Sequence, residues 1–211
     1  MADLAMIRPG RHGLADGPPG VVVTSLPDPS MAAIALRRGA ATMLAERLSV
    51  RFGLALPMRP GCAAAGGMLL VWAGVGQWLA LRHDLSGIAR FDFKPELEMA
   101  LGGAASVTEL TGSRALVRVT GPRVRDTLAK LLPLDLEASA FPPGSAALTN
   151  GGYMPVHVWQ AEPRVFHLAC YRSYGATLME SIVSAGAEYG CDLHTAAAIE
   201  RDRRRLERPK A

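Results

Sequence analysis

The stretch Met68–Leu81 reads MLLVWAGVGQWLAL, two apolar runs on either side of a short glycine-rich segment. The first run, Met68–Ala73, has the length and composition of a buried strand. The segment Gly74–Gly76 supplies residues that adopt the positive φ angles of tight turns. It lacks the third glycine of a phosphate-binding GxGxxG loop, so a turn is favoured over a phosphate site. The second run, Trp78–Leu81, predicts the returning strand of a β-hairpin.

A second hairpin is predicted late in the chain. Val156–Gln160 (VHVWQ) and Val165–Cys170 (VFHLAC) are two short runs of strand-forming residues, separated by residues 161–164. Two tight hairpins favour antiparallel pairing over the regular βαβ crossovers of a parallel sheet.

The elements around the hairpins occur in the same order twice. Each half has a strand, a glycine, a helix, a loop with proline, a hairpin and a final helix. We therefore predict an α+β fold with two pseudo-repeated halves, each an antiparallel sheet with helices on one face, packed back to back. The remaining predicted elements are strands at 31–36, 106–110, 115–119 and 146–149, of which the second and third are joined at Thr111-Gly112, and helices at 40–52, 95–101, 123–132 and 173–187.

The predicted organisation has four parts. These are an extended N-terminal arm (1–30), a first α+β half (31–103), a second α+β half (104–194) and a basic C-terminal tail (195–211). The arm is rich in glycine and proline and has no periodicity, so we expect it to be ordered only where a partner covers it. The tail carries six basic residues, but no aromatic residue follows Tyr189 to stack on bases. We therefore expect no nucleic-acid partner.

The composition is that of a folded protein with a buried core. Of the 211 residues, 49% are hydrophobic and 20% charged, which is enough to bury a core. No apolar run approaches the roughly 18–20 residues of a membrane span, and the N-terminus lacks the apolar stretch of a signal peptide. The three cysteines, Cys62, Cys170 and Cys191, form no disulfide framework. We expect a cytoplasmic protein with no membrane partner. All but three of its 23 basic residues are arginine, which suits ion pairs and interfaces.

The histidines and cysteines form no complete metal site in the sequence. His157 and His167 lie on neighbouring predicted strands, but zinc needs three or four ligands. Cys170 is three residues from His167, so strand alternation places the two on opposite faces. Cys191 and His194 form a CxxH pair without a second pair.

The sequence also contains no complete set of catalytic residues. His83-Asp84 could begin a base and its orienting carboxylate, but no nucleophile in a strained turn accompanies it. Glu96 and Glu98 are two residues apart on a predicted helix and point in different directions. Asp135 is expected in a turn or cap. We therefore predict no catalytic, cofactor-binding or metal-ligating residue in this chain.

The run from Ala105 to Ser173 resembles the gamma subunits of heterotetrameric sarcosine oxidases, and the likeness extends over roughly 68–190. The wider relatives are folate-binding aminomethyltransferase-like proteins, whose fold also carries two α+β halves. The matching pieces are ALVRVTGP, RVRDTLAK, PLDL, FPPGSAALT, PVHVW and YRSYGATLMESI, together with the earlier hairpin LLVWAGVGQWLAL.

The resemblance implies a division of labour. In such complexes the alpha and beta subunits hold the flavins FAD and FMN with NAD, the delta subunit carries zinc, and tetrahydrofolate accepts the one-carbon unit. The gamma subunit has no established catalytic residue. The resemblance therefore implies a non-catalytic structural subunit, partnered by alpha, beta and delta subunits, in an oxidoreductase complex that demethylates sarcosine. Glu137 and Ala138 depart from the family after PLDL, which leaves a related secondary N-methylamine as another substrate.

Three segments are candidate interface features because aromatic residues and arginine anchor interfaces. They are Val21–Val23, Phe91–Phe93 and Tyr171–Tyr174, although Phe91 and Phe93 could instead staple a helix start. The alternative function is a free-standing folate-binding or aminomethyltransferase-like protein. That alternative needs an acidic residue in a central cleft, for which Glu98 and Asp135 are the candidates.

Overall fold

A computed structural model describes residues 7–82 and 92–195. The expectations placed on His83, Asp84, Phe91 and 196–211 fall outside the described residues. No helix within the described ranges is both long and apolar enough to cross a membrane.

The described residues form twelve strands and four α-helices. The helices are α1 (Ala41–Phe52), α2 (Phe93–Leu101), α3 (Val124–Ala129) and α4 (Gly175–Gly186). The strands are β1 (Gly10–His12), β2 (Val21–Ser25), β3 (Ser30–Leu36), β4 (Cys62–Ala65), β5 (Met68–Gly74), β6 (Gln77–Arg82), β7 (Ala105–Glu109), β8 (Arg114–Thr120), β9 (Ala146–Gly151), β10 (Met154–Glu162), β11 (Val165–Tyr171) and β12 (Cys191–His194).

The first sheet has five strands in the order β4-β5-β6-β3-β7. Its centre is the predicted hairpin, in which Trp72 pairs with Trp78 and Val75 is exposed at the turn. Helices α1 and α2 cover one face of the sheet, because Leu48 and Leu97 pack on Leu70 in one buried cluster.

The second sheet has seven strands in the order β1-β12-β2-β8-β11-β10-β9. The predicted hairpin of β10 and β11 is confirmed, with Val156 opposite Cys170. Helices α3 and α4 cover one face through Leu128 and Ile182, which pack on Val119 and its neighbours.

Two parts of the predicted N-terminal arm, Gly10–His12 and Val21–Ser25, form strands β1 and β2 of the second sheet, contrary to the sequence prediction. Strand β2 lies inside the second sheet, parallel to β12 and antiparallel to β8, and Val21 and Val23 are fully buried. The backbones approach closely at two glycines, since a Cβ on Gly121 would lie 2.4 Å from the carbonyl oxygen of Gly20. The valines are therefore core residues and not interface anchors. The sheet is also not purely antiparallel.

Strands β7 and β8 are the two strands predicted to be joined at Thr111-Gly112, but they lie in different sheets, whereas the sequence prediction placed both in the second half. Strand β7 pairs with β3 in the first sheet, whereas β8 pairs with β2 and β11 in the second. Strand β7 alternates buried and exposed residues, as an edge strand does, whereas Ala115–Val117 are all buried, as in a central strand. Thr111 marks the crossing, where its Oγ1 accepts a hydrogen bond of 2.9 Å from the backbone N–H of Met31.

The two sheets pack against each other through their free faces. Leu79 and Leu81 of the first sheet share a buried cluster with Leu116, Trp159 and Ala169 of the second. The result is a four-layer arrangement of helices, sheet, sheet and helices. The expected boundary between 103 and 104 stays a prediction, although β7, which follows it, lies in the first sheet.

The place of β2 can be tested with a matched pair of substitutions. Val23→Ala is expected to lower the free energy of unfolding by about 2 kcal/mol, because it leaves a cavity in a packed core. Val50→Ala, at a helix position 83% exposed, is expected to stay within about 0.5 kcal/mol of wild type. Urea denaturation measures both, and equal effects would contradict a core role for β2.

Candidate functional site

A cleft opens between the two sheets where their inner faces separate. Its volume is about 330 Å³. The first sheet contributes the small side chains Ala33, Ala35 and Ala73, together with larger residues that include Gln77 and Leu79. The second sheet contributes Arg114, Leu148, Pro155, His157 and Tyr171.

Two polar groups of the second sheet give the cleft its electrostatic character. The guanidinium of Arg114 lies 3.9 Å from the centroid of the Tyr171 ring, directly across from it on the neighbouring strand. Burial, with a smaller contribution from the charge of Arg114, lowers the pKa of His157 to about 4. His157 is therefore a neutral imidazole at pH 7, beside a permanent cation.

Neither polar group is fully satisfied. His157 Nε2 and Arg114 Nε are buried and have no hydrogen-bond partner within the described residues. A buried polar atom without a partner costs about 1–3 kcal/mol. The cleft therefore holds unmet hydrogen-bonding capacity.

His157 and His167 share the inner face of the second sheet but do not pair. His157 lies opposite Ala169, whereas His167 lies opposite Trp159 and stacks on it with ring centroids 5.4 Å apart. Cys170 lies in the core on the helix side of the sheet, as the parity argument predicted.

The CxxH pair is separated by strand geometry. Cys191 is buried in the second-sheet core, whereas His194 is exposed at the end of the same strand. Within residues 7–82 and 92–195, no three His, Cys, Asp or Glu side chains are grouped so that they could hold a metal ion.

The cysteine thiols are poor nucleophiles. Burial raises the pKa of Cys62, Cys170 and Cys191 to about 11 in each case. The thiolate is the reactive form, and at pH 7 its fraction is negligible at such a pKa.

The two glutamates of α2 take separate partners. Glu96 accepts a hydrogen bond of 2.5 Å from the buried Arg82, and this bond holds the pKa of Glu96 below its usual value. Glu98 binds Lys94 at 2.7 Å, on the exposed side of the helix. They form no carboxylate dyad. Asp135 accepts a hydrogen bond of 3.0 Å from the backbone N–H of Glu137, which confirms a turn residue.

The aromatic interface candidates divide in two. Tyr171 and Tyr174 are 48% and 41% exposed and remain available for contact. Phe93 is fully buried, with the Arg82 guanidinium 4.6 Å from its ring centroid, so it belongs to the core. The alternative of a helix-start residue is the one that fits Phe93.

Arg114 was not singled out from the sequence, whose arginine-rich composition indicated only a suitability for ion pairs and interfaces. Arg172 forms a two-pronged salt bridge with Asp28, at 2.8 and 2.9 Å. Arg125 donates to Gln160 Oε1 at 3.0 Å and to the carbonyl oxygen of Leu136. No local sequence signal distinguishes Arg114 from the other arginines, because only the folded chain places it at the cleft.

The relatives found by comparison with known proteins belong to the family that the sequence was found to resemble. No family model matches the chain. Over 129 residues it is 33% identical to the sarcosine oxidase subunit gamma of Arthrobacter sp, an alignment that covers 56% of this chain and 61% of that protein. Over 148 residues it is 26% identical to the sarcosine oxidase subunit gamma of Corynebacterium sp. (strain P-1), covering 69% of this chain and 70% of that one.

This chain is similar to sarcosine oxidase gamma subunits. The resemblance predicted from the sequence is thereby confirmed. The match spans about three fifths of the length of the Arthrobacter gamma subunit.

Solved structures show the same fold. A chain of the heterotetrameric sarcosine oxidase from Corynebacterium sp. U-96, in complex with pyrrole 2-carboxylate, superposes with a TM-score of 0.67 at 22% identity, covering 80% of this chain and 85% of that one. The glycine cleavage system aminomethyltransferase T from Bartonella henselae gives a TM-score of 0.57 at 16% identity, covering 85% and 49%. The mixed α+β class predicted from the hairpins and the order of elements is therefore confirmed.

Breaking the ion pair between Glu96 of α2 and Arg82 of β6 is expected to destabilise the protein. Glu96→Gln leaves the buried Arg82 without its counter-charge, and we expect a loss of about 1–2 kcal/mol of unfolding free energy. The matched change Glu98→Gln removes an exposed helix pair and is expected to cost about 0.5 kcal/mol or less. Thermal or urea unfolding compares the two, and equal losses would mean that Arg82 does not depend on Glu96.

The low pKa of His157 predicts a stability loss in mild acid. The unfolded imidazole binds a proton near pH 6.5, whereas the folded one does so only near pH 4. Its contribution is fully present above pH 6.5 and is lost as the pH falls toward 4, by up to about 3 kcal/mol. Urea titrations at pH 7, 6, 5 and 4 measure the slope.

The control separates His157 from other groups. His157→Gln should flatten the slope between pH 6.5 and 4, because it removes the buried imidazole whose pKa is lowered. A slope unaltered in His157→Gln would show that another group titrates in this range.

Proposed function

We propose that this chain is a non-catalytic, structural gamma-type subunit of a heterotetrameric flavin-dependent complex of the sarcosine oxidase type. The complex would oxidatively demethylate sarcosine or a related secondary N-methylamine and pass the one-carbon unit to tetrahydrofolate. The similarity to two sarcosine oxidase gamma subunits carries the proposal.

The proposal assigns the chemistry to other chains. The partners would be alpha, beta and delta subunits, which together would hold FAD, FMN, NAD and zinc. This chain would supply shape and contact area, in the cytoplasm, without nucleic-acid or membrane partners.

The state of the polar residues supports a non-catalytic role. The thiols of Cys62, Cys170 and Cys191 are protonated, and Glu96 and Glu98 are held in ion pairs. Within the described residues, His157 has no carboxylate or nucleophile beside it in the cleft lining. In the described part of the chain, no base, nucleophile and orienting group come together as acyl or phosphoryl transfer would require.

Exposed apolar side chains support a role in assembly. Tyr153 is fully exposed at the turn between β9 and β10, and Val75 is 94% exposed at the turn between β5 and β6. Tyr171 and Tyr174 are partly exposed at the end of β11. Exposed aromatic residues at turns are typical anchors of protein interfaces.

We also propose that the two halves are a structural repeat. In the first sheet, the β5-β6 hairpin lies beside β3, and β7 follows on its other side. In the second sheet, the β10-β11 hairpin lies beside β8, with β2 inserted before β12. The shared pairing order and the helices on one face of each sheet support a common origin.

The alternative, a free-standing folate-binding protein, is disfavoured by the positions of its candidate residues. Glu98 is bound to Lys94 at the surface of α2, and Asp135 lies in a turn. Neither lines the cleft between the sheets, whose described lining contains no carboxylate. The acidic group that would hold a pterin is therefore missing from that place.

Co-purification tests the proposed role. The tagged full-length chain is expressed in its native host, and we expect it to carry flavin-containing chains of larger mass and a yellow colour. Expressed alone, it is expected to aggregate, since its exposed apolar side chains lose their cover. Mass spectrometry and the flavin absorption spectrum are the readouts, and recovery of a colourless, monodisperse monomer from the native host would overturn the proposal.

An interface variant sharpens this test. Tyr174→Ser should reduce recovery of the partner chains while leaving the unfolding free energy near wild type, because the side chain is 41% exposed. Val50→Ser, on the solvent face of α1, serves as the control and should leave recovery unchanged. Equal recovery with both variants would exclude the Tyr174 region from the interface.

A further inference from the structure

The cleft between the sheets has the properties of a small ligand site, which the proposed structural role does not require. Its volume, about 330 Å³, is at the lower end of the range of ligand pockets. Its lining is mostly apolar, with Arg114, His157 and Tyr171 as polar residues of the second sheet and Gln77 of the first, which is the usual composition of such sites.

His157 supplies a donor or acceptor that the fold leaves unused. The residue is only 9% exposed, it lines the cleft, and its Nε2 has no partner in the described part of the chain. Buried polar atoms of native proteins nearly always have a partner. A ligand in the cleft would provide one.

Arg114 supplies the charge. It is the only Lys or Arg among the described residues that line the cleft, and no Asp or Glu is among them. Its guanidinium is held over the Tyr171 ring, and its Nε has no partner in that part of the chain. A planar guanidinium in apolar surroundings, without a counter-charge, favours a carboxylate, which it can bind through two parallel hydrogen bonds.

The opposite wall determines the size of the ligand. Ala33, Ala35 and Ala73 of the first sheet leave the space open, and Leu148 and Pro155 close it from the second sheet. These side chains offer only apolar contact, and Gln77 adds one amide to the lining from the first sheet. A ligand that fits therefore has a compact apolar body attached to its charged group.

We propose that the cleft between the two sheets binds a small carboxylate with an apolar body, its carboxylate held by Arg114 and His157 and its body packed against the alanines of the first sheet. Such a ligand supplies the negative counter-charge that Arg114 does not receive from the described lining of the cleft. The proposal is independent of the chain's membership of a complex.

Benzoate is a suitable probe, and benzamide is its uncharged counterpart. The full-length chain, in the form in which it is purified, is titrated with each by calorimetry and by NMR of the histidine rings. We expect benzoate to bind with a dissociation constant of about 1 mM or tighter. Benzamide should bind at least about tenfold more weakly, because it cannot form charge-assisted hydrogen bonds. Benzoate should also shift the His157 resonances and raise the pKa of that ring, since a nearby anion favours the protonated form.

Matched variants locate the site. Arg114→Gln should weaken benzoate binding by about tenfold or more, whereas Arg118→Gln, exposed on the same strand and outside the cleft, should leave it unchanged. Ala33→Leu should abolish binding by filling the cleft while leaving both polar residues in place. Circular dichroism confirms that each variant is folded.

The outcomes decide the proposal. Equal binding of benzoate and benzamide, equal losses in Arg114→Gln and Arg118→Gln, or full binding by folded Ala33→Leu would each overturn it. So would the absence of any benzoate-induced shift at His157. None of these results depends on whether flavin-containing partners are recovered, so the two proposals fail separately.

Discussion

The structure depends on the contact between the free faces of its two sheets. The helices of the described residues cover one side of each sheet, so the other face of either sheet would be exposed if it stood alone. Leu79 and Leu81 of the first sheet and Leu116 and Trp159 of the second are buried only because the sheets meet. Burial of apolar area is the main favourable term in folding, at about 25 cal/mol per Å². The two sheets therefore form one cooperative unit, and any position that weakens their contact affects the whole chain.

The sequence predicted the parts of this fold whose pairing is local. The hairpins of β5-β6 and β10-β11 join strands separated by a few residues, and their turns carry glycine or, at Arg164, a residue with φ of 61°. Strand parity also placed Cys170 and His167 on opposite faces correctly. Pairing between neighbouring strands and the alternation of side chains along a strand depend on short segments, so both can be predicted from a single sequence.

The parts that the sequence did not predict depend on distant partners. Strand β2 is five residues long among glycines and prolines, and its neighbours β8 and β12 lie far along the chain. Nothing near Val21–Val23 shows that these valines enter a sheet. The passage from one sheet to the other at Thr111 was missed for the same reason, since the short connection at Thr111-Gly112 does not show which strands β7 and β8 pair with. The cleft was also beyond prediction, because it combines alanines of one sheet with Arg114 and His157 of the other.

The cleft reduces the apolar contact between the two sheets, on which the stability of the fold depends. Larger side chains at Ala33, Ala35 and Ala73 could extend the apolar contact between the sheets, and a hydrogen-bond partner for His157 would remove the cost of a buried, unsatisfied nitrogen. The chain instead keeps an opening and an unpaired polar atom at the interface on which its stability depends. A subunit that contributed contact area alone would gain stability by closing this space. Local features that cost stability tend to occur at functional sites, and here small side chains and unmet polar groups face each other across a single opening. A bound anion would satisfy both the charge and the hydrogen-bonding capacity, so occupancy of the cleft would strengthen the sheet contact that the fold requires.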